Sequence, residues 1–104
     1  EFIRQDKIIF VDITADWCIT CQYNKINVIN SKEIKDIFLE NDIKLFKGDW
    51  TKPNKDIENF LKSYNKFGIP FNIIYSKSYP KGIILSELLT NNEIIKNIEL
   101  IKLD

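Results

Sequence analysis

Runs of apolar and β-branched residues predict the strands of a sheet. KIIFVDITA (7–15) is apolar at most positions, which is typical of a strand buried on both faces. DIKLFKGDW (42–50) alternates between apolar and polar residues, as a half-buried strand does. IPFNIIYS (69–76) and KGIILSE (81–87) predict two further strands, and the short segment 78–80 between them predicts an antiparallel hairpin.

Helical periodicity occupies the segments between these strands. The first helix is expected from Cys18 to about Ile29 and the second from Lys32 to Glu40, with Ser31 as its cap. A third helix should follow a capping Asn54, and the last should begin at Thr90, Asn91 or Asn92. The apolar positions that carry the helical pattern are Ile19, Tyr23, Ile26, Ile34, Ile37, Phe38, Ile57, Phe60, Leu61, Tyr64, Ile94, Ile95, Ile98 and Ile101.

The resulting order β-α-α-β-α-β-β-α predicts an α/β fold. A strand, a crossover helix and a strand form a right-handed parallel pair, whereas the later hairpin is antiparallel. We therefore expect a central mixed sheet with helices on both faces. Residues 1–104 should form a single domain, excised from a larger protein, in which residues 1–6 finish an upstream element.

Composition and charge narrow the functional classes. The 104 residues contain 15 basic and 15 acidic side chains, and the lysines are scattered along the chain. Nucleic-acid binding is therefore not favoured, because phosphate neutralisation calls for a basic excess or a basic face. No apolar run approaches the roughly 20 residues of a membrane span. The isolated domain is expected to be a monomer.

The pair Cys18 and Cys21 is the main candidate for chemistry. It lies where the first strand hands over to the first helix, so the sulfur of Cys18 should approach unpaired backbone N–H groups and the positive end of the helix dipole. This environment lowers the pKa of a thiol, and the thiolate is the nucleophile. We expect Cys18 to be the exposed nucleophile and Cys21 the buried resolving thiol, cycling between dithiol and disulfide.

The residues alone leave three other interpretations of the pair open. A zinc site needs two more ligands, yet the chain has no His and no third Cys. A structural disulfide across so short a loop removes little chain entropy. Two unreactive buried cysteines are the third alternative.

Residues elsewhere supply candidate surroundings for the pair. Asp12, flanked by apolar residues on the first strand, should have a raised pKa and could exchange protons with Cys21; the alternative is a strand-end carboxylate facing water. Trp17 provides either an apolar shelf for partners or core packing. Lys25, one turn beyond Cys21, favours thiolate only if it faces the sulfurs. Ile69–Pro70 at a strand start is either an ordinary trans edge proline or a cis bond beside the cysteines.

FVDITADWCITC, followed by GIP at 68–70, resembles the thioredoxin superfamily. VDITADWCITCQYN, GDWTKPNKDIENFLKSYNKFGIPFNIIY and ILSELLT resemble more narrowly the C-terminal thioredoxin-like domain of DsbD-type thiol:disulfide interchange proteins, over nearly the whole chain from Lys7.

The resemblance implies roles for particular residues. Cys18 and Cys21 take the nucleophilic and resolving roles, Asp12 is the buried carboxylate, and Pro70 is the cis proline beside Ile69. Ile19 and Thr20, between the sulfurs, and Lys25 would tune the reduction potential. Lys25 departs from the family, which commonly has an acidic residue there that keeps the cysteine pKa high.

The resemblance also implies a place in a relay of electrons. A bacterial periplasmic domain of an inner-membrane protein would accept two electrons from a membrane-embedded carrier, with no bound cofactor or metal. It would pass them to the N-terminal periplasmic domain of the same protein, and so to disulfide isomerases and cytochrome c maturation factors. The alternatives are a stand-alone thioredoxin or a cytochrome c maturation thiol reductase. From other classes, a redox-inert interaction module or a metal-delivery module would keep the fold.

Overall fold

A computed structural model describes residues 7–103 of the chain. The predicted element order is confirmed, whereas the upstream element expected in residues 1–6 lies outside the described residues. The elements are β1 Ile9–Thr14, α1 Ile19–Asn24, a π-helical turn Lys25–Ile29, α2 Lys32–Glu40, β2 Lys44–Asp49, α3 Lys55–Lys62, β3 Phe71–Tyr75, β4 Ile83–Ile84 and α4 Asn91–Lys102.

The strands form one mixed sheet in the order β2-β1-β3-β4. β1 is parallel to β2, and it is antiparallel to β3, which in turn is antiparallel to β4. The parallel pair and the antiparallel hairpin therefore agree with the expectation from connection length. β1 lies inside the sheet, and its carboxyl end leads into the turn that carries Cys18.

β4 is much shorter than the predicted strand 81–87. Gly82 has a positive φ of 90°, so regular strand geometry cannot begin before it. The backbone N–H of Ser86 donates to the Glu93 carboxylate at 2.9 Å, and this contact turns the chain towards α4. An apolar run therefore does not form a strand over its full length when the backbone at its ends has a turn conformation or donates to another element.

Helices cover both faces of the sheet, as predicted. The face of Phe10 and Ile74 packs against Ile34 of α2 and Ile94 of α4. The opposite face packs against α3, in a smaller cluster built on Ile13, Leu61, Phe71 and Ile73. One apolar layer on each face of β1 and β3 thus holds in place the end of the sheet that leads to Cys18.

Side-chain caps fix the starts of three helices. Ser31 accepts from the N–H of Ile34 at 3.3 Å, and Asn54 accepts from that of Ile57 at 3.0 Å, as the sequence predicts. Of the three candidates for the last cap, Thr90 is the residue that accepts, from the N–H of Glu93 at 3.1 Å.

The first predicted helix is continuous but not regular, because α1 runs into the π-helical turn Lys25–Ile29. Ile19, Tyr23 and Ile26, whose spacing indicates the helix, are all exposed. Asn24 is buried instead: its carboxamide donates to the carbonyl of Glu87 at 2.8 Å and accepts from the N–H of Leu89 at 3.0 Å. This side chain fastens α1 to the segment between β4 and α4.

Candidate active site

A disulfide joins Cys18 and Cys21 at the junction between β1 and α1. The chain leaves β1 through a turn in which the N–H of Cys18 donates to the carbonyl of Ala15 at 3.2 Å. Cys18 is the N-cap residue of α1, and its sulfur accepts from the N–H of Cys21 at 3.2 Å. The spacing of three residues thus brings both sulfurs to the positive end of the helix.

The expectation of an exposed Cys18 is wrong for this disulfide form. Cys18 is only 7% exposed, against 3% for Cys21. The physical reason is that the Cys18 sulfur is bonded to Cys21 and turned over the start of α1. Both cysteines pack with Ala15, and Ile69 lies against this cluster.

The Ile69–Pro70 peptide bond is cis, as the resemblance implies. Pro70 is buried and directly precedes β3, so it needs no ladder hydrogen bond there. Ile69 is half-buried, and it contacts the cysteine cluster. The trans edge proline that an arbitrary sequence favours is therefore not found.

Trp17 stands beside the disulfide and is not a core residue. It is 59% exposed, and its indole N–H donates to the carbonyl of Thr51 at 3.1 Å. Its ring lies 6.4 Å from that of Trp50, measured between ring centroids. Trp17 therefore contributes an exposed aromatic surface next to Cys18.

Thr51 was not singled out from the sequence, although it organises this side of the site. Its hydroxyl accepts from the N–H of Asp16 at 2.9 Å and itself donates to the carboxylate of Asp49. The loop after β2 is thereby tied to the turn that precedes Cys18. A cleft of about 270 Å³ opens here; it is lined by Trp17, Trp50, Thr51, Lys52, Pro53 and Glu58. The available signal was DWT, directly after the second predicted strand.

Asp12 is a buried carboxyl on β1, as expected from its apolar neighbours. It is 5% exposed, and its strand partners are Lys47 on β2 and Asn72 on β3. Desolvation raises the pKa of Asp12 from 3.8 to about 6, against the opposing effects of Lys47 and then Lys25. The alternative of a carboxylate facing water is therefore excluded.

Lys25 and the two residues between the sulfurs have different surroundings. Lys25, in the π-helical turn, is half-buried and close enough to Asp12 to lower the pKa of that carboxyl. Ile19 is 86% exposed, while Thr20 is half-buried in the first turn of α1. Their proposed influence on the reduction potential stays a prediction.

Asn72 is a second residue that sequence reasoning missed. It is 1% exposed, and neither polar atom of its carboxamide has a hydrogen-bond partner among residues 7–103. The signal that could have found it is one amide within the otherwise apolar run FNIIY. Its position opposite Asp12 depends on strand register, which the sequence does not specify.

Residues 7–103 contain neither a candidate metal centre nor a candidate membrane span. Over residues 7–103, His, Cys, Asp and Glu nowhere form a group of three that could hold a metal ion. Within the same range, no helix has both the length and the apolar character needed to cross a bilayer.

Comparison with known proteins adds to this geometry. The thioredoxin-like family matches residues 2–77 of the chain. None of the curated proteins compared with the chain matches it.

Several solved structures have a similar fold over most of this chain. The oxidised C-terminal domain of DsbD from Neisseria meningitidis is 25% identical, with a TM-score of 0.74 over 91% of this chain and 80% of that one. Its reduced form is 24% identical, with a TM-score of 0.71 over 91% and 81%. A thioredoxin from Thermus thermophilus is 12% identical and has a TM-score of 0.72 over 97% and 78%, a likeness of fold alone.

Proposed function

The chain belongs to the thioredoxin-like family and carries a thiol–disulfide oxidoreductase pair, Cys18 and Cys21, and we propose that it works as a protein-disulfide reductase. The observation that carries this proposal is the position of the pair. It lies at the start of α1 and is packed against Ile69, and β1, the strand that leads into it, carries a buried acid, Asp12. Its substrates are disulfides of other proteins.

The first step uses the reduced protein. The Cys18 thiolate attacks one sulfur of a substrate disulfide, so a bond forms between Cys18 and that sulfur while the substrate S–S bond breaks. The other substrate sulfur leaves as a thiolate and takes a proton from water. The N–H of Cys21, which contacts the Cys18 sulfur at 3.2 Å, supports the negative charge of the nucleophile.

The second step releases the substrate. Cys21 gives its proton to the Asp12 carboxylate and attacks the Cys18 sulfur, which forms the internal disulfide and expels the second substrate thiolate. Two electrons have then moved from the cysteine pair to the substrate. With a pKa of about 6, Asp12 is ionised in about nine of ten molecules at pH 7 and can accept this proton.

The surface around the pair suits an extended substrate segment. Ile69 packs against the cysteine cluster, and Trp17, next to Cys18 in the chain, is exposed. We propose that Ile69, Pro70 and Trp17 shape the position of the substrate cysteine over Cys18.

The finer part of the proposal concerns partners and location. The likeness to the DsbD C-terminal domain supports a periplasmic domain of an inner-membrane protein, which receives electrons from a membrane-embedded carrier. It would deliver them to an N-terminal periplasmic domain of the same protein. The reading frame upstream of residue 1 tests this: a long hydrophobic region favours the relay, and a complete gene without one contradicts it.

Reduction of insulin disulfides by the dithiothreitol-reduced protein tests the reductase activity itself. The wild type should bring insulin B chains to precipitation, and Cys18→Ser should abolish the reaction. Trp17→Phe, which keeps an aromatic surface without the indole N–H, is a control that should retain most of the rate. A wild-type protein that does not accelerate the reaction over dithiothreitol alone overturns the proposal.

A further inference from the structure

Asn72 is buried opposite Asp12, and its side chain makes no hydrogen bond to residues 7–103 that would stabilise the fold. The β1–β3 register pairs the two residues directly, and side chains at paired positions of antiparallel strands point to the same face, with Cβ atoms about 4.5–5.5 Å apart. Neither Nδ2 nor Oδ1 of Asn72 has a hydrogen-bond partner within residues 7–103. An amide withdrawn from water without a partner is costly, so its retention calls for a reason.

The other buried asparagine shows what a structural role looks like in this fold. Asn24 uses both ends of its carboxamide to bind the backbone at Glu87 and Leu89. The side chain of Asn72 makes no such contact. Only its backbone carbonyl is engaged here, and it accepts from the N–H of Leu85 at 2.9 Å. The side chain of Asn72 is therefore not needed to hold the strand.

Among the groups around Asp12, Asn72 is the neutral polar one. Lys47 faces Asp12 from β2, and Lys25 reaches it from the π-helical turn. The cysteine pair lies at the start of α1, on the segment that follows β1. Beyond Asn72 the next position across the sheet is the apolar Leu85. Of the strand residues on either side of Asp12, only Asn72 can both donate and accept a hydrogen bond.

We propose that Asn72 is a positioning residue for Asp12. The two side chains are not hydrogen-bonded in this disulfide form, and in the reduced protein a change of side-chain rotamer brings the Asn72 carboxamide onto the carboxyl while Asp12 exchanges a proton with Cys21. This role rests on the proposed second step. Nδ2 donates to the carboxylate before the proton arrives, and Oδ1 accepts from the protonated acid afterwards. Because a hydrogen bond to a charged acceptor is the stronger of the two, Asn72 on balance favours the ionised acid.

Titration of the Asp12 carboxyl by carbon NMR tests the proposal in the reduced wild type and in three variants. Asn72→Leu keeps the size of the side chain and removes both polar atoms, so the pKa of Asp12 should rise by about one unit. Asn72→Thr offers a hydroxyl in its place and should restore at least half of that shift. Ser76→Ala removes another buried polar side chain, directly after the far end of β3, and should leave the titration unchanged.

The pH profile of the second step provides an independent readout. A mixed disulfide is formed on Cys18 at low pH, and the rate at which it releases its thiol is then measured as a function of pH. In Asn72→Leu the acidic side of this profile should shift to higher pH, together with the Asp12 pKa. A packing role alone would change stability and leave both the titration and the acid limb in place. An Asp12 pKa in Asn72→Leu within about 0.2 unit of the wild type would overturn the proposal.

The titration needs no turnover, so the two proposals fail separately. A wild type that cannot reduce insulin overturns the reductase assignment. An unmoved Asp12 titration in a wild type that reduces insulin overturns only the role of Asn72.

Discussion

Two rungs of the β1–β3 ladder that are neighbours on one face of the sheet differ sharply in character. Phe10 pairs with Ile74, and two residues further towards the disulfide Asp12 pairs with Asn72. All four side chains are buried on the same face of the sheet. The first rung is packed in the main apolar cluster, whereas the second places a carboxyl and an unpartnered amide where water is excluded.

The difference shows how stability and chemistry are divided within two strands. The apolar rung contributes burial to the fold and contains no titratable group. The polar rung costs folding free energy, and in return it supplies a buried acid of raised pKa on the strand that leads into the cysteine pair. Each rung can be altered separately, which makes the division testable.

The largest effect is expected at the apolar rung. Phe10 is fully buried, and its ring packs against that of Phe38 with centroids 5.4 Å apart. Phe10→Ala should lower the free energy of unfolding by about 3–5 kcal/mol, through lost burial and the cavity left behind. Urea denaturation measures this loss, and Phe10→Leu should lose less than half as much. A loss below about 1 kcal/mol would mean that this rung does not anchor the core.

Substitution at the polar rung should raise the free energy of unfolding, which is opposite to the effect of Phe10→Ala. The folded protein holds the Asp12 proton more tightly than the unfolded chain, so stability falls as pH rises from 3.8 to about 6. At about 1.4 kcal/mol per pH unit, this costs the wild type about 3 kcal/mol at neutral pH. Asp12→Asn should recover most of that cost at pH 7.5 and gain little at pH 4.

Denaturation of the oxidised wild type and Asp12→Asn at both pH values checks the prediction. The difference between the two proteins, and not the absolute stability of either, isolates this one carboxyl. A variant that gains equally at pH 4 and pH 7.5 would show that the gain does not come from ionisation of Asp12.

The same substitution should slow the second step of the reaction. Without the Asp12 carboxylate, Cys21 must lose its proton to water, and we expect release of substrate from the mixed disulfide to slow by about tenfold to a hundredfold. Rapid-quench measurement of thiol release at pH 7 reports this step alone. Attack by Cys18 on a substrate disulfide should change far less, and equal slowing of both steps would contradict the role of Asp12.

The smallest effects should come from the two lysines near the polar rung. Each holds the pKa of Asp12 down, Lys47 more strongly than Lys25. Lys47→Gln and Lys25→Gln should therefore each raise that pKa by less than about one unit, with the larger shift for Lys47. Carbon NMR titration resolves the two shifts, and a larger effect of Lys25 would reverse this order.

The sequence predicts the apolar rung and much of the site, but not how the polar rung is assembled. Asp12 stands out as a carboxyl in an apolar run, and the cis bond before Pro70 follows from the resemblance. The position of Asn72 opposite Asp12 could not be predicted, because it depends on the register between β1 and β3.

Other differences have the same origin in tertiary contacts. Ile19, Tyr23 and Ile26 have helical spacing, yet the helix is oriented by buried Asn24 and leaves these apolar residues exposed. The predicted strand 81–87 is observed only at Ile83–Ile84. Gly82 has a positive φ, and the backbone N–H of Ser86 donates to the Glu93 carboxylate instead of a neighbouring strand. Local pattern indicates each element, whereas its face and its length are set by what it meets.

The most direct test of the central claim is mass spectrometry of the complexes trapped by each cysteine variant. Reduced Cys21→Ser, mixed with a protein disulfide, should accumulate a stable adduct linked through Cys18, because no second thiol can release the substrate. Cys18→Ser should form no comparable adduct. Equal trapping through Cys21 in Cys18→Ser, or full turnover by Cys21→Ser, would contradict the assignment of Cys18 as nucleophile and Cys21 as resolving thiol.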